Sequence, residues 1–188
     1  MLNDVSASTN RKLAVHPFLE QIGRVCLQRP KAIVLREKDL TPEEYLALAK
    51  EVQQICDKYG TELILHYYKE AAQALGIKKL HLPLPLLEQL NADEKEMLEV
   101  IGCSVHSVEE AGRAQELGAT YLTAGHIYAT GCKPGLPPRG TAFLQELCKN
   151  VTIPVYAIGG ITIEGERRKA VRDCGAAGAC SMSGLMQI

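Results

Sequence analysis

Eight short apolar runs, most of them followed by a helical pattern, constrain the fold of this chain more than any other feature. The clearest runs cover residues 32–35, 62–65, 100–105 and 121–125. They are unbroken rather than alternating, which is typical of strands buried on both faces of a parallel sheet. Eight strand–helix units predict a closed (β/α)₈ barrel, the TIM barrel. An open doubly wound sheet is the alternative, but no G-x-G-x-x-G follows an early strand.

Chain length sets the number and size of domains. With 188 residues, the chain is expected to form a single domain over residues 1–188. Eight units at this length predict a trimmed barrel, and so little chain follows Gly184 that the last helix is expected to be short. The local pattern predicts a helical stretch reaching about Leu98 and a helix over residues 162–174.

Composition and charge exclude several classes of partner. Hydrophobic residues make up 46% and charged residues 23% of the chain, a balance typical of globular proteins. The net charge is −1, and the chain has no Trp and two Phe, which disfavours nucleic-acid surfaces. No apolar run approaches the ~18 residues of a membrane-spanning helix, and residues 1–4 do not resemble a signal peptide. We expect a cytoplasmic protein with no nucleic-acid or membrane partner.

The chain has seven cysteines and no C-x-x-C motif. An odd number without paired spacing is typical of reduced, mostly buried thiols in a cytosolic protein. Cys132 is the exception, because it lies in a basic loop beside Lys133. For this residue we favour packing over a ligand to a redox role.

Titratable residues and glycines stand where the predicted strands end. In a (β/α)₈ barrel the carboxyl ends of the strands share one face, and active sites lie there. The long loop over residues 126–140 adds glycines, prolines, a lysine and an arginine, so this face suits a phosphorylated small molecule. The residues at or near strand ends are Arg36, Lys38, His66, Tyr67, His81, Ser104, His106, His126, Gly159, Gly160, Ser183 and Gly184.

Two glycine turns predict a phosphate site. Gly159 and Gly160 follow the seventh predicted strand, and Ser183 and Gly184 follow the eighth, where this fold commonly binds phosphate. Glycine lets backbone N–H groups approach an anion closely, and a helix beginning at Thr162 would add about 0.3–1 kcal/mol. The alternative is that these glycines only make tight turns.

Residues 102–106, 125–140, 157–161 and 182–184 resemble motifs of the thiamine phosphate synthase/TenI family, in the same order. The similarity spans nearly the whole chain, and residues 35–38 fit the second strand of the family. The resemblance implies a (β/α)₈ barrel that acts on the thiazole phosphate half of thiamine. Whether the chain forms a homodimer is left open by the sequence.

One branch of the family, the synthase, joins a pyrimidine diphosphate to the thiazole phosphate with Mg²⁺ on the diphosphate. This chain departs from that branch: Val34 replaces a Gln, His66-Tyr67 replaces Asn-Asp, and Leu86 stands where a metal carboxylate is expected. Mg²⁺ prefers hard oxygen ligands, so no metal or other cofactor is expected unless the synthase interpretation holds. The residues that would line a pocket for a second substrate are Arg36, Lys38, His66 and Tyr67.

The TenI branch is similar to a thiazole tautomerase, which converts a thiazole carboxylate phosphate into its aromatic isomer by proton transfer, without a metal. That branch carries Gly-His at the end of the sixth strand, where synthases usually carry Gly-Pro, and here the pair is Gly125-His126. Imidazole titrates near neutral pH and can both take and give a proton. The resemblance therefore implies that His126 is catalytic; the alternative is a hydrogen-bonded residue of the rim.

The resemblance also implies a set of residues that bind the thiazole phosphate. Within it, Lys133 is expected to meet the phosphate or carboxylate as a mobile point charge. Our order of preference is a thiazole tautomerase, then a thiamine phosphate synthase, then a non-catalytic or regulatory protein that binds a phosphorylated ligand. The binding set comprises Ser104, Thr130, Cys132, Lys133, Gly159, Gly160, Met182, Ser183 and Gly184.

Overall fold

Eight parallel strands close into a barrel in the computed structural model, which describes residues 2–163 and 165–188. Each strand pairs with the next along the chain, and the last pairs back with the first, where Ser6 lies opposite Cys180. The predicted (β/α)₈ barrel is confirmed. The strands are β1 (Leu2–Ser8), β2 (Pro30–Leu35), β3 (Leu63–His66), β4 (Lys79–Pro83), β5 (Val100–Val105), β6 (Tyr121–Gly125), β7 (Val155–Ile158) and β8 (Gly178–Ser181).

Helices follow the strands and pack around the outside of the barrel. The last has four residues and is as short as expected. Within the described residues, no helix has the length and apolar character needed to cross a membrane. The helices are α1 (Phe18–Leu27), α2 (Pro42–Tyr59), α3 (Lys69–Leu75), α4 (Leu84–Leu87), α5 (Ala92–Glu96), α6 (Val108–Glu116), α7 (Gly140–Asn150), α8 (Glu166–Asp173) and α9 (Ser183–Met186).

Local sequence signals set the limits of α2. Thr41 Oγ1 accepts a hydrogen bond from the Glu44 N–H at 3.2 Å, and the Glu44 carboxylate accepts one from the Thr41 N–H at 2.9 Å. Gly60 ends the helix in the left-handed region, with φ of 64°. The buried hydroxyl of Tyr45 donates to a carbonyl of β2 and accepts from an N–H of β3, which ties the helix to the barrel wall.

The helical stretch expected to reach Leu98 is divided into α4 and α5. The division occurs because the Asn91 side chain accepts a hydrogen bond from the Glu94 N–H at 2.9 Å and caps a new helix. An Asn cap of this kind satisfies an N–H that has no partner inside the helix. The prediction of one continuous stretch was therefore wrong.

The helix expected over residues 162–174 is α8, and it begins later, at Glu166. Gly165 precedes it with φ of 121°, a conformation that a right-handed helix does not contain. Glu164, which also falls in the predicted helix, lies outside the described residues. The prediction was wrong at its N-terminus because the apolar spacing does not reveal where the backbone turns.

The barrel interior changes from apolar to polar toward the carboxyl ends of the strands. Its lower layer contains Val34, Ile64, Tyr121 and Tyr156, whose two tyrosine rings meet edge to face with centroids 5.8 Å apart. Two residues further along β3 and β6 the interior side chains are polar, because successive side chains alternate between the two faces and residues i and i+2 share one face. The polar layer contains His66, His81, Ser104 and Thr123.

Candidate active site at the mouth of the barrel

The carboxyl ends of the strands meet at one rim, because all eight strands are parallel. Residues from several distant parts of the sequence can therefore reach one ligand. The predicted strand-end residues after β2, β6, β7 and β8 lie at this rim. We call the rim the mouth, and it consists of residues 36–38, 67, 126–139, 159–163 and 182–184.

The long loop after β6 holds His126 in a buried position, with 7% of its surface exposed. The Ile127 N–H donates to the Ile158 carbonyl at 2.9 Å, and the Arg139 N–H donates to the His126 carbonyl at 3.0 Å. Nε2 of His126 lies 3.3 Å from the carbonyl oxygen of Leu136. Because a carbonyl oxygen only accepts, this contact favours the tautomer with its proton on Nε2 and leaves Nδ1 bare. A bare ring nitrogen can act as a base.

Gly159 and Gly160 turn the chain beside this loop, with φ of 101° and 66°. A Cβ on Gly159 would overlap the His126 side chain, and one on Gly160 would overlap the carbonyl oxygen of Ala129. The Arg167 guanidinium donates to the Gly160 carbonyl at 2.6 Å. The Gly160 N–H has no backbone acceptor in the described part of the chain, so it is available to an anion.

The contribution expected from a helix N-terminus at Thr162 was wrong. Because α8 begins at Glu166, residues 161–165 separate it from Gly160. The favourable electrostatic field of a helix N-terminus falls off within the first turn. The field of α8 therefore does not reach an anion at Gly160. Backbone N–H groups and side-chain cations are the remaining anion ligands here.

The turn after β8 lies beside the loop after β7. An ideal Cβ on Gly184 would lie 3.5 Å from the Ile163 side chain. Met182 is half-buried in this turn, and Ser183 is exposed at the start of α9. The two turns predicted to form the phosphate site are therefore neighbours.

Three cationic side chains of the mouth, Arg36, Lys38 and Lys133, are close enough to influence one another electrostatically. Burial, and then the charges of Arg36 and Lys133, lower the pKa of Lys38. None of the three has a carboxylate partner among the ion pairs of residues 2–163 and 165–188. An anion bound here would offset their mutual repulsion. Lys133 was predicted to bind the thiazole phosphate, and Arg36 and Lys38 were predicted to bind a second substrate. The structure places these two predicted sets near each other.

Glu37 organises the loops that carry these cations, and the sequence analysis missed it. Its carboxylate is 2% exposed and accepts hydrogen bonds from Thr9 Oγ1 at 2.7 Å and from the Arg11 N–H at 3.0 Å. Thr9 Oγ1 in turn accepts from the Arg36 N–H at 2.9 Å. Residues 36 and 38 face the mouth, so by the alternation of an extended chain residue 37 points to the opposite side, and this spacing was the available signal for its different role.

His66 and Tyr67, expected in a pocket for a second substrate, take different positions. His66 ends β3 and is 4% exposed; burial, and then the charges of His81, Arg36 and Lys38, hold its pKa far below the ordinary value. It is a neutral residue of the barrel interior, below the rim. Tyr67 is 44% exposed, with its backbone in the left-handed region at φ of 76°.

Among its described residues, the mouth offers no free carboxylate of the kind that the synthase branch uses for Mg²⁺. Glu37 is occupied as described, and Asp39 is paired with Arg11 and Lys12 at 2.6 and 2.7 Å. Leu86 lies in α4 and is apolar. Across the described residues, no three His, Cys, Asp or Glu side chains are grouped so that they could hold a metal ion. This donor set does not fit Mg²⁺.

Thr130, Cys132 and Lys133 form a tight turn at the tip of the loop after β6. The Lys133 N–H donates to the Thr130 carbonyl at 3.1 Å, and the Cys132 N–H donates to Thr130 Oγ1 at 3.3 Å. The Cys132 side chain is exposed. The turn brings Lys133 close enough for its charge to act on Lys38, and the packing of Cys132 over a ligand stays a prediction.

A hydrogen-bonded group lies inside the barrel directly below the mouth. His81 contacts Tyr121 through Nδ1 at 2.8 Å and Ser104 through Nε2 at 2.8 Å, and Ser104 contacts Thr123 at 3.2 Å. Of these four residues, only Ser104 was predicted as a binding residue. Tyr121 and Thr123 are spaced by two along β6, a period that could have placed both in the interior.

Comparisons with known proteins agree with one another. The sequence profile of the family described as thiamine monophosphate synthase matches residues 6–185. The chain is 33% identical over 179 residues to "Putative thiamine-phosphate synthase 2" of Aquifex aeolicus, which covers 95% of this chain and 94% of that one. It is 33% identical over 185 residues to "Thiamine-phosphate synthase 2" of Streptococcus pneumoniae, covering 95% and 85%.

Two solved structures are similar to this chain in fold, and the first of them also carries a related name. Thiamine phosphate pyrophosphorylase from Pyrococcus furiosus superposes with a TM-score of 0.83 at 27% identity, covering 97% of this chain and 87% of that one. FabK from Thermotoga maritima superposes with a TM-score of 0.73 at 16% identity, covering 97% and 59%. The second likeness shows the fold alone.

Proposed function

We propose, from the premise that the chain belongs to the thiamine monophosphate synthase family, that it is an enzyme of thiamine biosynthesis acting on a thiazole phosphate. The mouth supports such a ligand, since it combines the cations Arg36, Lys38 and Lys133 with the available N–H of Gly160. Side-chain cations and backbone N–H groups are the usual ligands of a phosphate. Within this class, the proposed reaction is the isomerisation of a thiazole carboxylate phosphate by proton transfer.

The position of His126 carries this choice of reaction. Its ring lies at the end of β6 beside the Gly159 turn, and its contact with the Leu136 carbonyl favours a bare Nδ1. In the proposed step Nδ1 takes a proton from the saturated carbon of the non-aromatic ring, and the resulting imidazolium returns it to a carbon attached outside the ring. The ring gains its aromatic double bond, and the double bond outside the ring is lost. No net proton is gained or lost. A positioned acid–base group of this kind typically contributes ~10²–10⁴-fold.

Thiamine phosphate synthesis from a pyrimidine diphosphate is the second candidate, and the comparisons favour it, because the relatives described above carry the synthase name. Arg36 and Lys38 would then bind the diphosphate. Tyr67 and Leu86 count against this candidate, since they stand where that branch carries metal-binding carboxylates and no cluster of metal ligands replaces them among the described residues.

One assay separates these candidates. The purified protein is incubated with the thiazole carboxylate phosphate, with and without EDTA, and separately with thiazole phosphate, pyrimidine diphosphate and Mg²⁺. We expect isomerisation in the presence of EDTA and no condensation product. Mg²⁺-dependent condensation would establish the synthase instead. Binding of thiazole phosphate with neither product would identify a non-catalytic binding protein.

A further inference from the structure

A chain of hydrogen bonds runs from the floor of the barrel to the mouth. The Tyr121 hydroxyl lies 2.8 Å from Nδ1 of His81, and Nε2 of His81 lies 2.8 Å from Ser104 Oγ. Thr123 Oγ1 lies 3.3 Å from the same Nε2 and 3.2 Å from Ser104 Oγ. Tyr121, His81 and Thr123 are buried, whereas Ser104 is partly exposed, so Ser104 is the member of the chain that a ligand can reach.

The protonation state of His81 follows from its surroundings. His81 is 3% exposed, and burial, followed by the charges of Arg36 and Lys38, lowers its pKa to about 3. The His66 ring stacks on it with centroids 5.8 Å apart and carries no charge at neutral pH. His81 is therefore a neutral imidazole, which has one N–H group and one bare nitrogen.

Tyr121 decides which nitrogen carries the proton. Burial raises the pKa of this phenol well above its ordinary value, so the O–H group keeps its proton. Among the hydrogen bonds of the described residues, Nδ1 of His81 is the partner of the Tyr121 hydroxyl. The phenol must donate to Nδ1, because the opposite tautomer would leave a buried O–H donor without an acceptor. Nε2 of His81 then carries the proton and donates to Ser104 Oγ.

We infer that Tyr121 and His81 are positioning residues that fix Ser104 as a hydrogen-bond donor toward an anionic oxygen of the ligand. Ser104 Oγ then accepts one hydrogen bond from His81 and one from the Thr123 hydroxyl. Its own O–H group is left to donate toward the mouth. The neighbouring cations Arg36 and Lys38 favour a negatively charged acceptor. The identity of that acceptor as a phosphate or carboxylate oxygen of a thiazole phosphate rests on the proposed function.

The tautomer is measured first, in the ligand-free protein. Nitrogen-15 NMR of histidine-labelled protein at pH 7 should show His81 protonated on Nε2 and bare at Nδ1, with the signals assigned by their loss in His81→Gln. Protonation at Nδ1, or at both nitrogens, would overturn the inference even in an active enzyme. Absence of turnover would count against the proposed function and would leave this result unchanged.

Ligand affinity then tests the effect on Ser104 through a double-mutant cycle, with thiazole phosphate as the titrant, or inorganic phosphate if thiazole phosphate does not bind. Tyr121→Phe should weaken binding about 3- to 10-fold in the wild-type background, the value of one hydrogen bond, and have little effect once Ser104→Ala is present. The control is Tyr156→Phe, whose ring packs against Tyr121 without contacting His81. It should leave affinity unchanged.

A conservative replacement separates positioning from packing. His81→Gln keeps an acceptor for the Tyr121 hydroxyl and a donor for Ser104, so it should retain more affinity than His81→Leu. An equal loss in both variants, or an effect of Tyr121→Phe that persists in the Ser104→Ala background, would show that these residues only fill space. Chemical denaturation of each variant identifies any that fails to fold.

Discussion

His126 is the residue whose replacement tests the proposed proton transfer most directly. His126→Asn keeps a polar side chain of similar shape and removes the acid–base group, so the isomerisation rate should fall ~10²-fold or more while ligand affinity changes little. Product formation is followed by NMR, and His16→Asn, on the surface beside Glu20, is the control. An isomerisation rate equal to that of wild type would remove His126 from the mechanism.

Gly160 offers a test of the phosphate turn with a closely matched control. Gly160 and Gly76 share a φ of 66°, but a Cβ on Gly160 would overlap the Ala129 carbonyl oxygen, and a Cβ on Gly76 would meet nothing within 4 Å. Both Ala variants should lose about 1–2 kcal/mol from the left-handed backbone alone. Only Gly160→Ala should also weaken phosphate binding, measured by titration. Equal phosphate affinity in the two variants would mean that the turn is not the site.

At the scale of elements, the loops after β1 and β2 are joined by the Glu37 carboxylate. Glu37→Gln removes the charge that the Thr9 hydroxyl and the Arg11 backbone contact, so the free energy of unfolding should fall by about 1–3 kcal/mol. Hydrogen exchange should accelerate over residues 9–13 and 36–41, and phosphate affinity should fall because Arg36 is no longer held. The exposed Glu43→Gln, at the start of α2, is the control. Unchanged exchange in the two loops would contradict the role given to Glu37.

At the scale of the whole molecule, two buried histidines make the fold sensitive to mild acid. Burial is the main cause that lowers the pKa of His81 from 6.5 to about 3, and that of His66 further. Below pH 6.5 these two histidines bind protons in the unfolded chain but stay neutral in the folded protein. The free energy of unfolding is therefore at its full value above pH 6.5 and falls as the pH decreases. Each histidine contributes a slope of up to about 1.4 kcal/mol per pH unit.

Urea unfolding at pH 7.0, 6.0 and 5.5 measures this slope. These pH values lie above the ordinary pKa values of Glu94 and Asp39, 4.5 and 3.8, near which the unfolded chain begins to protonate the two carboxylates. His66→Asn should reduce the slope by about half, whatever its effect on stability at pH 7. His16→Asn, at a surface site, should leave the slope unchanged. A slope that is the same in all three proteins would mean that the buried histidines do not control acid stability.

The sequence by itself determined the barrel and the residues that end its strands. Unbroken apolar runs that alternate with helical patterns favour a parallel sheet covered by helices, whose strands all end at one edge, so Arg36, His126 and Gly159 were expected at one rim. The short last helix was likewise expected from the chain that remains after Gly184. These features follow from positions along the chain, which the sequence states directly.

The tertiary structure alone decided which of these side chains face a ligand. Both His66 and His81 were expected at strand ends, but His81 lies in the middle of β4, and the strand register points both side chains into the interior, where burial keeps them neutral. The charge of Lys133 acts on Lys38 across a large separation in sequence, from a loop whose two ends are joined by the hydrogen bond from the Arg139 N–H to the His126 carbonyl. Position along a strand is a property of sequence, whereas direction, burial and charge depend on neighbours that arrive from elsewhere in the chain.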